Sequence, residues 1–292
     1  AGVPVGSKTG ALPKTPCETA GNPVVISNGN KIEEETDFVS NGEAPLHLQR
    51  IYNHYWFGVG IFGKHWISNF DFKLTFGTTS VNSCYPRPGG GACGVGANTF
   101  IFAWRPDGRV NSYKLNAADG VFYESKLNPV SKIVKQANGS FVLYGEGNQV
   151  ENYSSAGYIS SVKNAQGIGW TFAYTNKTYP YRVTHTSGRH VEFTWTGNQL
   201  TAARDPAGNY YGYSYADNQF GSGLHRLAAT SQPGNPTTTT TYHYELTSDA
   251  SALTGKSFNG VRFSTFSYGG SGSYPPATQT THGGNETWKF IY

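Results

Sequence analysis

Residues 188–215 read GRHVEFTWTGNQLTAARDPAGNYYGYSY, and this stretch decides the fold. Aromatic and β-branched residues occupy every second position from Val191 to Trp195 and again from Tyr211 to Tyr215, and a glycine opens each run. Alternate residues of a strand point to the same face, so this period predicts two β-strands, each with its aromatic and β-branched side chains on one face.

The same frame recurs along the second half of the chain. GIGWTFAY (167–174) and GNETWKFIY (284–292) match it, and degenerate copies end at Tyr244 and Tyr268. A repeat of about 20 residues holds two strands of about six residues and two turns. One copy cannot bury its aromatic face alone, so the copies are predicted to stack into one long antiparallel sheet. The predicted repeat core comprises Trp170, Phe172, Tyr174, Phe193, Trp195, Tyr211, Tyr213, Tyr215, Trp288, Phe290 and Tyr292.

Composition supports an all-β fold. The chain has 37 glycines among 292 residues, 15% aromatic residues and only 14% charged residues. Aromatic side chains suit a pleated surface and glycine supplies positive φ in tight turns. The net charge of +4 gives no basis for a nucleic-acid partner, and no run of 18 apolar residues predicts a membrane span.

The first half reads as an arm followed by β-hairpins. Residues 1–20 contain three prolines and no periodicity, which is typical of an extended arm. GNPVVISNGNKIEEETDF (21–38) predicts a hairpin around Asn28-Gly29. PLHLQRIYN (45–53) predicts a strand with Leu46, Leu48, Arg50 and Tyr52 on one face. A single helical turn is expected near residues 116–120.

The cysteines predict an oxidising compartment. Cys84 and Cys93 flank a short loop rich in glycine and proline, which can bring their Cα atoms within the ~4.4–6.8 Å of a disulfide. The alternative is two free, inert thiols, and Cys17 has no partner identified from the sequence. No second pair with ligand spacing supports zinc. An unprocessed signal peptide is not evident, and the chain opens with Ala1, which fits a mature secreted protein.

Each candidate site in the sequence also has a structural explanation. No catalytic, cofactor-binding or metal-binding constellation is predicted, since the usual nucleophile, phosphate-loop and zinc motifs are missing from the sequence. His185 and His190 flank Ser187-Gly188, and a two-residue loop would place them opposite each other as a metal pair; partly exposed strand histidines are the alternative. Glu33, Glu35 and Asp37 share one strand face, which suits either calcium or, preferably, solvent. The aromatic rows suit sugar stacking, but their regular phase favours a buried core.

These residues resemble the RHS/YD-repeat family. Ser187–Tyr215 is similar to the family frame of glycine, alternating strand and closing Tyr-Asp, although Thr175, Thr196 and Ala216 replace the Asp. Residues 21–74 resemble an N-terminal β domain that precedes such repeats in the family. The resemblance implies an extended arm (1–20), an N-terminal RHS β domain of β-hairpins (21–137) and a long antiparallel, coiled YD-repeat sheet of about six degenerate copies (138–292).

The resemblance also implies a function without catalysis. Related proteins form a hollow shell, and toxin-delivering members enclose a C-terminal effector, for which this chain has no matching segment. Six repeats add about 60 Å of wall, from a strand spacing of about 4.8 Å, whereas a 100-residue cargo needs roughly 170 Å. The chain is therefore expected to be a secreted or cell-surface scaffold segment that pairs through its sheet edges with its own continuation or with neighbouring copies. A self-associating adhesive or glycan-binding protein is the alternative, and a polysaccharide-acting enzyme is the weakest one.

Overall fold

The structure is a computed structural model that describes residues 19–21, 23–80, 85, 98–176, 178–216, 225–270, 274–284 and 286–292. Strands account for 55% and helix for 1%, which confirms the predicted all-β class. The helical turn expected near residues 116–120 is a single turn closed by a hydrogen bond from Gly120 N to Asn116 O (2.9 Å).

Seven short strands precede the long sheet and form three small antiparallel sheets. They are β1 (Thr19–Ala20), β2 (Val24–Val25), β3 (Ile32–Val39), β4 (His47–Asn53), β5 (Val59–Gly60), β6 (Gly63–Lys64) and β7 (Trp66–Ser68). β1 pairs with β2, β5 with β6, and β4 lies between β3 and β7. The predicted face of Leu46, Leu48, Arg50 and Tyr52 is buried, so that alternation is confirmed. These strands belong to residues 19–72, called the N-terminal segment below.

Nineteen strands then form one antiparallel sheet in which each strand pairs with its chain neighbours. They are β8 (Lys73–Gly77), β9 (Phe100–Trp104), β10 (Val110–Leu115), β11 (Phe122–Glu124), β12 (Lys132–Lys135), β13 (Phe141–Tyr144), β14 (Val150–Tyr153), β15 (Ile159–Lys163), β16 (Gly169–Thr175), β17 (Tyr179–His185), β18 (His190–Thr196), β19 (Gln199–Arg204), β20 (Tyr210–Ala216), β21 (Arg226–Gln232), β22 (Thr238–His243), β23 (Gly255–Phe258), β24 (Val261–Tyr268), β25 (Ala277–His282) and β26 (Glu286–Lys289). A single 3₁₀ turn, Glu146–Asn148, lies between β13 and β14.

Short polar side chains close many of the turns between these strands. In the turn after β19, the Asp205 carboxylate accepts hydrogen bonds from the backbone N–H groups of Ala207 (2.8 Å) and Asn209 (2.9 Å). Asn164 closes the turn after β15 in the same way, accepting from Gln166 N at 3.0 Å. In the turn of Asp205, Gly208 has a φ of +93°, a backbone conformation that glycine adopts without steric cost. The local sequence therefore fixes where each strand ends.

The sheet curls back on itself. A bridge pairs Lys73 of β8 with Tyr158, just before β15, and Leu74 N donates to Gly157 O at 2.9 Å. β8 to β15 thus form a ring of eight strands, across which the Phe76 and Phe141 rings lie 5.0 Å apart. The inner face of the sheet packs on side chains of its own chain.

The long sheet starts at Lys73, well before the regular repeats that begin near residue 138. β8 to β12, which precede the repeats, are therefore hydrogen-bonded into the same sheet as the repeats. The division into an N-terminal β domain up to residue 137 and repeats from 138 remains a prediction. Within the described residues, no helix is long and apolar enough to cross a membrane.

Candidate functional site: the inner face of the sheet

The inner face of the sheet is covered by the N-terminal segment. One hydrophobic cluster joins buried side chains of that segment to buried side chains on strands from β8 to β24. Aromatic pairs mark the contact: Phe70 with Phe172 (ring centroids 6.0 Å), Phe62 with Tyr213 (4.8 Å) and Trp66 with Tyr242 (4.8 Å). The edge-to-face geometry of these pairs is the favourable one for aromatic rings. The two parts of the chain therefore share one core.

The predicted core aromatics differ in how deeply they are buried. Phe172, Phe193, Tyr211 and Tyr213 are buried, and Trp170, Tyr174, Trp195 and Tyr215 are half-buried against the same cluster. Phe290 is half-buried. Trp288 and Tyr292 differ from the expectation, being 46% and 49% exposed. Trp288 lies on β26, which pairs with β25.

The closing aromatics of the repeats share a device that the sequence did not reveal. Immediately before Trp195, Tyr215 and Tyr268 the register shifts by one, because the partner strand carries an extra residue there, Thr201, Ala228 or Thr278. Beyond it, Trp195 Nε1 donates to Pro180 O (2.7 Å), Tyr215 Oη to Leu200 O (2.9 Å) and Tyr268 Oη to Leu253 O (2.7 Å). A bulge interrupts the ladder and re-aims the next side chain. The ring's polar atom then satisfies a backbone carbonyl on the preceding part of the hairpin.

The acidic residues of β3 are not on a solvated face, so that preferred interpretation was wrong. Glu33, Glu35 and Asp37 all turn toward the long sheet, and Glu33 and Asp37 are buried. The Lys256 amine of β23 donates hydrogen bonds to both Glu33 and Glu35, and the Lys31 amine donates to Glu33 at 2.7 Å. Burial alone would raise the pKa of Glu33, but the charges of Lys31 and Lys256 outweigh it and the pKa is lowered. Lysine side chains thus occupy the position considered for calcium.

Arg50 and Asp37 form a second buried ion pair beside the first. Arg50 Nε and Nη2 donate to the two carboxylate oxygens at 2.9 and 2.8 Å, a bidentate arrangement. Arg50 Nη1 also donates to Tyr242 Oη (2.7 Å), and Tyr213 Oη donates to Asp37 (2.6 Å). Gln232 completes the carboxylate's partners at 2.7 Å. This network fixes β3 and β4 to strands of the sheet almost 200 residues later in the chain.

The histidine pair considered for metal does not form. Thr184 is the partner of His190, and His185 N donates to Arg189 O, so the loop has three residues rather than two. The extra residue shifts the register by one, which turns the two side chains to opposite faces. His185 Nε2 contacts Glu43 O at 3.0 Å, whereas His190 lies beside Glu192. In the described part of the chain no three metal-ligating side chains lie together.

A serine–histidine contact appears on the inner face, and its geometry is structural. Ser251 Oγ lies 3.1 Å from His65 Nε2, but the same hydroxyl donates to Asp249 Oδ1 at 2.5 Å. Ser251 is 2% exposed, and burial holds the pKa of His65 well below its usual value. A nucleophile needs substrate access and a proton directed to its base. Neither condition is met at Ser251.

A polar cavity of about 280 Å³ lies at the mouth of the eight-strand ring. Arg105 spans its wall and donates to both oxygens of Glu151 at 2.7 and 2.5 Å. Glu124 accepts from Ser131 Oγ at 2.7 Å, and Ser131 contacts Tyr113. Lys126 pairs with Glu124 and Glu146, so these charged groups of the cavity are matched to one another.

The predicted disulfide between Cys84 and Cys93 lies outside the described residues, as does Cys17. It remains a prediction.

Comparison with known proteins gives one family match and one structural match. Residues 21–90 match the model of a domain of unknown function, DUF6531. The crystal structure of TcdB2-TccC3-TEV is similar over 92% of this chain, with 8% identity and a TM-score of 0.22. This chain spans 16% of the length of that chain. No curated protein matches the sequence.

Proposed function

We propose that this chain is a non-catalytic scaffold: the opening section of an RHS-type shell, whose first turn of wall is filled by its own N-terminal segment. The shared core of that segment and the sheet carries the proposal. Buried ion pairs and aromatic contacts occupy the inner face, so this part of the wall leaves no room for a cargo. Such packing serves to fix the curvature of the sheet from its first strands onward.

The polar groups of the interior support a scaffold over an enzyme. Glu33, Asp37 and Glu151 each have a cationic partner within hydrogen-bond distance, and Arg50 and Arg105 bind theirs through two nitrogens. Acid–base catalysis requires a group that is free to exchange a proton with substrate. The enzyme alternative is tested directly by offering polysaccharides to the purified protein, and turnover would overturn the scaffold.

Hydrogen exchange on the full chain tests the shared core. We expect amides of β16 to β24 to exchange slowly, and Phe62→Ala to speed their exchange together, because the Phe62 ring packs on Tyr213 from the other side of the interface. Phe258→Ala is the matched control, since Phe258 is 39% exposed. If both variants exchange like the wild type, the N-terminal segment does not support the wall and the proposal fails.

Edge pairing is the second candidate, supported by β26. Phe290 N donates to Thr278 O toward β25, so the preceding amide, that of Lys289, points to the other side of the strand. An open edge of this kind is a template for another strand, from a continuing chain or a second copy. Self-association predicts solution masses at multiples of 31.7 kDa that Lys289→Pro abolishes and Lys289→Ala retains. A monomer at all concentrations would exclude the second-copy form. The secreted or cell-surface location is proposed on the resemblance alone.

A further inference from the structure

A small aromatic cavity lies where β8 meets the turn before β15. It measures about 50 Å³, and its lining includes Lys73 at the start of β8. The walls are mainly rings, contributed by Trp56, Phe72, Trp104, Tyr158 and Tyr174. A cavity of this size holds about three water-sized groups. It is therefore suited to a solute of a few heavy atoms.

Lys73 differs in its partners from the other buried lysines among the described residues. Lys31 and Lys256 bond carboxylates, whereas the Lys73 amine donates to Ala156 O at 2.9 Å and lies 3.0 Å from the centre of the Tyr158 ring. Only 8% of Lys73 is exposed. Burial lowers the pKa of Lys73 to about 7, so a large part of this amine is uncharged near neutral pH.

The neighbouring titratable groups leave the amine without a carboxylate partner. Asp71 lines the same cavity, but its carboxylate accepts from Ile61 N (3.1 Å), Ser68 N (2.6 Å) and Ser68 Oγ (2.8 Å). Burial raises the pKa of Asp71 to about 6. The phenols of Tyr158 and Tyr174 also have raised pKa values through burial, so both stay neutral.

We propose that Lys73 is a reactive amine that captures small aldehydes in this cavity as an imine. The nitrogen lone pair forms a bond to the carbonyl carbon while the carbonyl π electrons move to oxygen. One proton passes from nitrogen to oxygen to give the neutral carbinolamine. A proton from solvent then converts its hydroxyl into water, which leaves as the nitrogen lone pair forms the C=N bond, and the nitrogen returns its last proton to solvent. An uncharged lysine in an apolar pocket is the form that performs this chemistry. The proposal is independent of the scaffold role.

Formaldehyde with cyanoborohydride tests the proposal, because the hydride traps each imine as a methylamine. The folded protein is treated briefly at pH 7, digested, and the methylation of each lysine is measured by mass spectrometry. Lys132 serves as the exposed internal reference. An ordinary lysine of pKa about 10.4 is uncharged in only about one molecule in 2,500 at pH 7. We expect Lys73 to be methylated at least about 10-fold faster than Lys132, even if burial slows entry.

Three further measurements separate a built site from a merely uncharged amine. The rate advantage of Lys73 should disappear in 8 M urea, which removes the cavity. It should also be absent with a bulky aromatic aldehyde that the cavity cannot hold. Lys132→Arg should leave the methylation of Lys73 unchanged. Equal rates at Lys73 and Lys132 in the folded protein, or an advantage that persists in urea, would overturn the proposal.

Discussion

Replacing Arg50 by Met should release the N-terminal segment from the sheet. Arg50 is 1% exposed and binds Asp37 through two nitrogens and Tyr242 through a third. Met has a similar length and no charge, so the substitution leaves the Asp37 carboxylate buried without its cation. The expected consequence is loss of the contact between β3, β4 and the strands around β20 to β22.

The structure sets the size of the effect. The Asp37 side chain has no exposed surface, so water cannot replace the lost guanidinium. Removing one partner of a buried ion pair costs about 3–5 kcal/mol, because the remaining charge stays desolvated. In urea, with a slope of about 3 kcal/mol per molar, this loss lowers the unfolding midpoint by about 1–1.7 M. Tyr213 and Gln232 still donate to Asp37, which keeps the loss at the lower end of the range.

Urea unfolding followed by tryptophan fluorescence measures the loss. Arg109→Met is the matched control, since the Arg109–Asp107 pair is about half-exposed and such pairs contribute at most about 1 kcal/mol. Adding Asp37→Asn to Arg50→Met should recover part of the stability, because no lone charge then remains buried. A midpoint for Arg50→Met within about 0.3 M of the control would refute the reasoning, as would a double variant less stable than Arg50→Met.

Three more outcomes are expected. In thermal unfolding, Gly157→Ala should destabilise the protein by about 2 kcal/mol or more beyond the effect of Gly167→Ala. Both glycines have φ near +80°, but a Cβ added at residue 157 would lie 2.1 Å from the backbone oxygen of Leu74, whereas one added at residue 167 meets nothing within 4 Å. Tyr215→Phe should lower the free energy of unfolding by about 1–3 kcal/mol, since a buried carbonyl loses its donor, whereas Tyr210→Phe, at a 63% exposed site, should be neutral. In the folded protein the pKa of Lys73 is about 7, so between pH 7 and 9 the unfolded chain binds more protons at Lys73 than the folded chain does. The free energy of unfolding of the wild type should therefore rise by up to about 1.4 kcal/mol per pH unit relative to Lys73→Met. Parallel pH profiles of the two proteins would exclude that contribution.

The fold class and many local features followed from the sequence. The period-two rows of rings predicted strands with a buried face, and Phe172, Phe193, Tyr211 and Tyr213 lie on one. The alternation of residues 46–52 likewise identified the buried face of β4. These inferences succeed because strand period and turn chemistry act over a few residues, where the sequence alone carries the signal.

The candidate site was much less predictable. The acidic residues of β3 appeared suited to solvent because their cations, Lys256 and Arg50, come from other strands. The histidine pair depended on a loop length that differed by one residue, and that difference reverses the faces of a strand. The hydrogen bonds from the rings of Trp195, Tyr215 and Tyr268 to backbone carbonyls depend on β-bulges. A bulge has no recognisable sequence pattern in these residues.

By itself, then, the sequence determined that this chain makes strands, where they turn and which side chains can share a face. Only the tertiary structure decided what covers that face. The N-terminal segment fills the curl, through contacts such as Tyr213–Asp37 that span 176 residues. A local pattern specifies that apolar area must leave water, but any surface of matching shape and charge can meet that need. The choice among such surfaces is made when distant parts of the chain pack together.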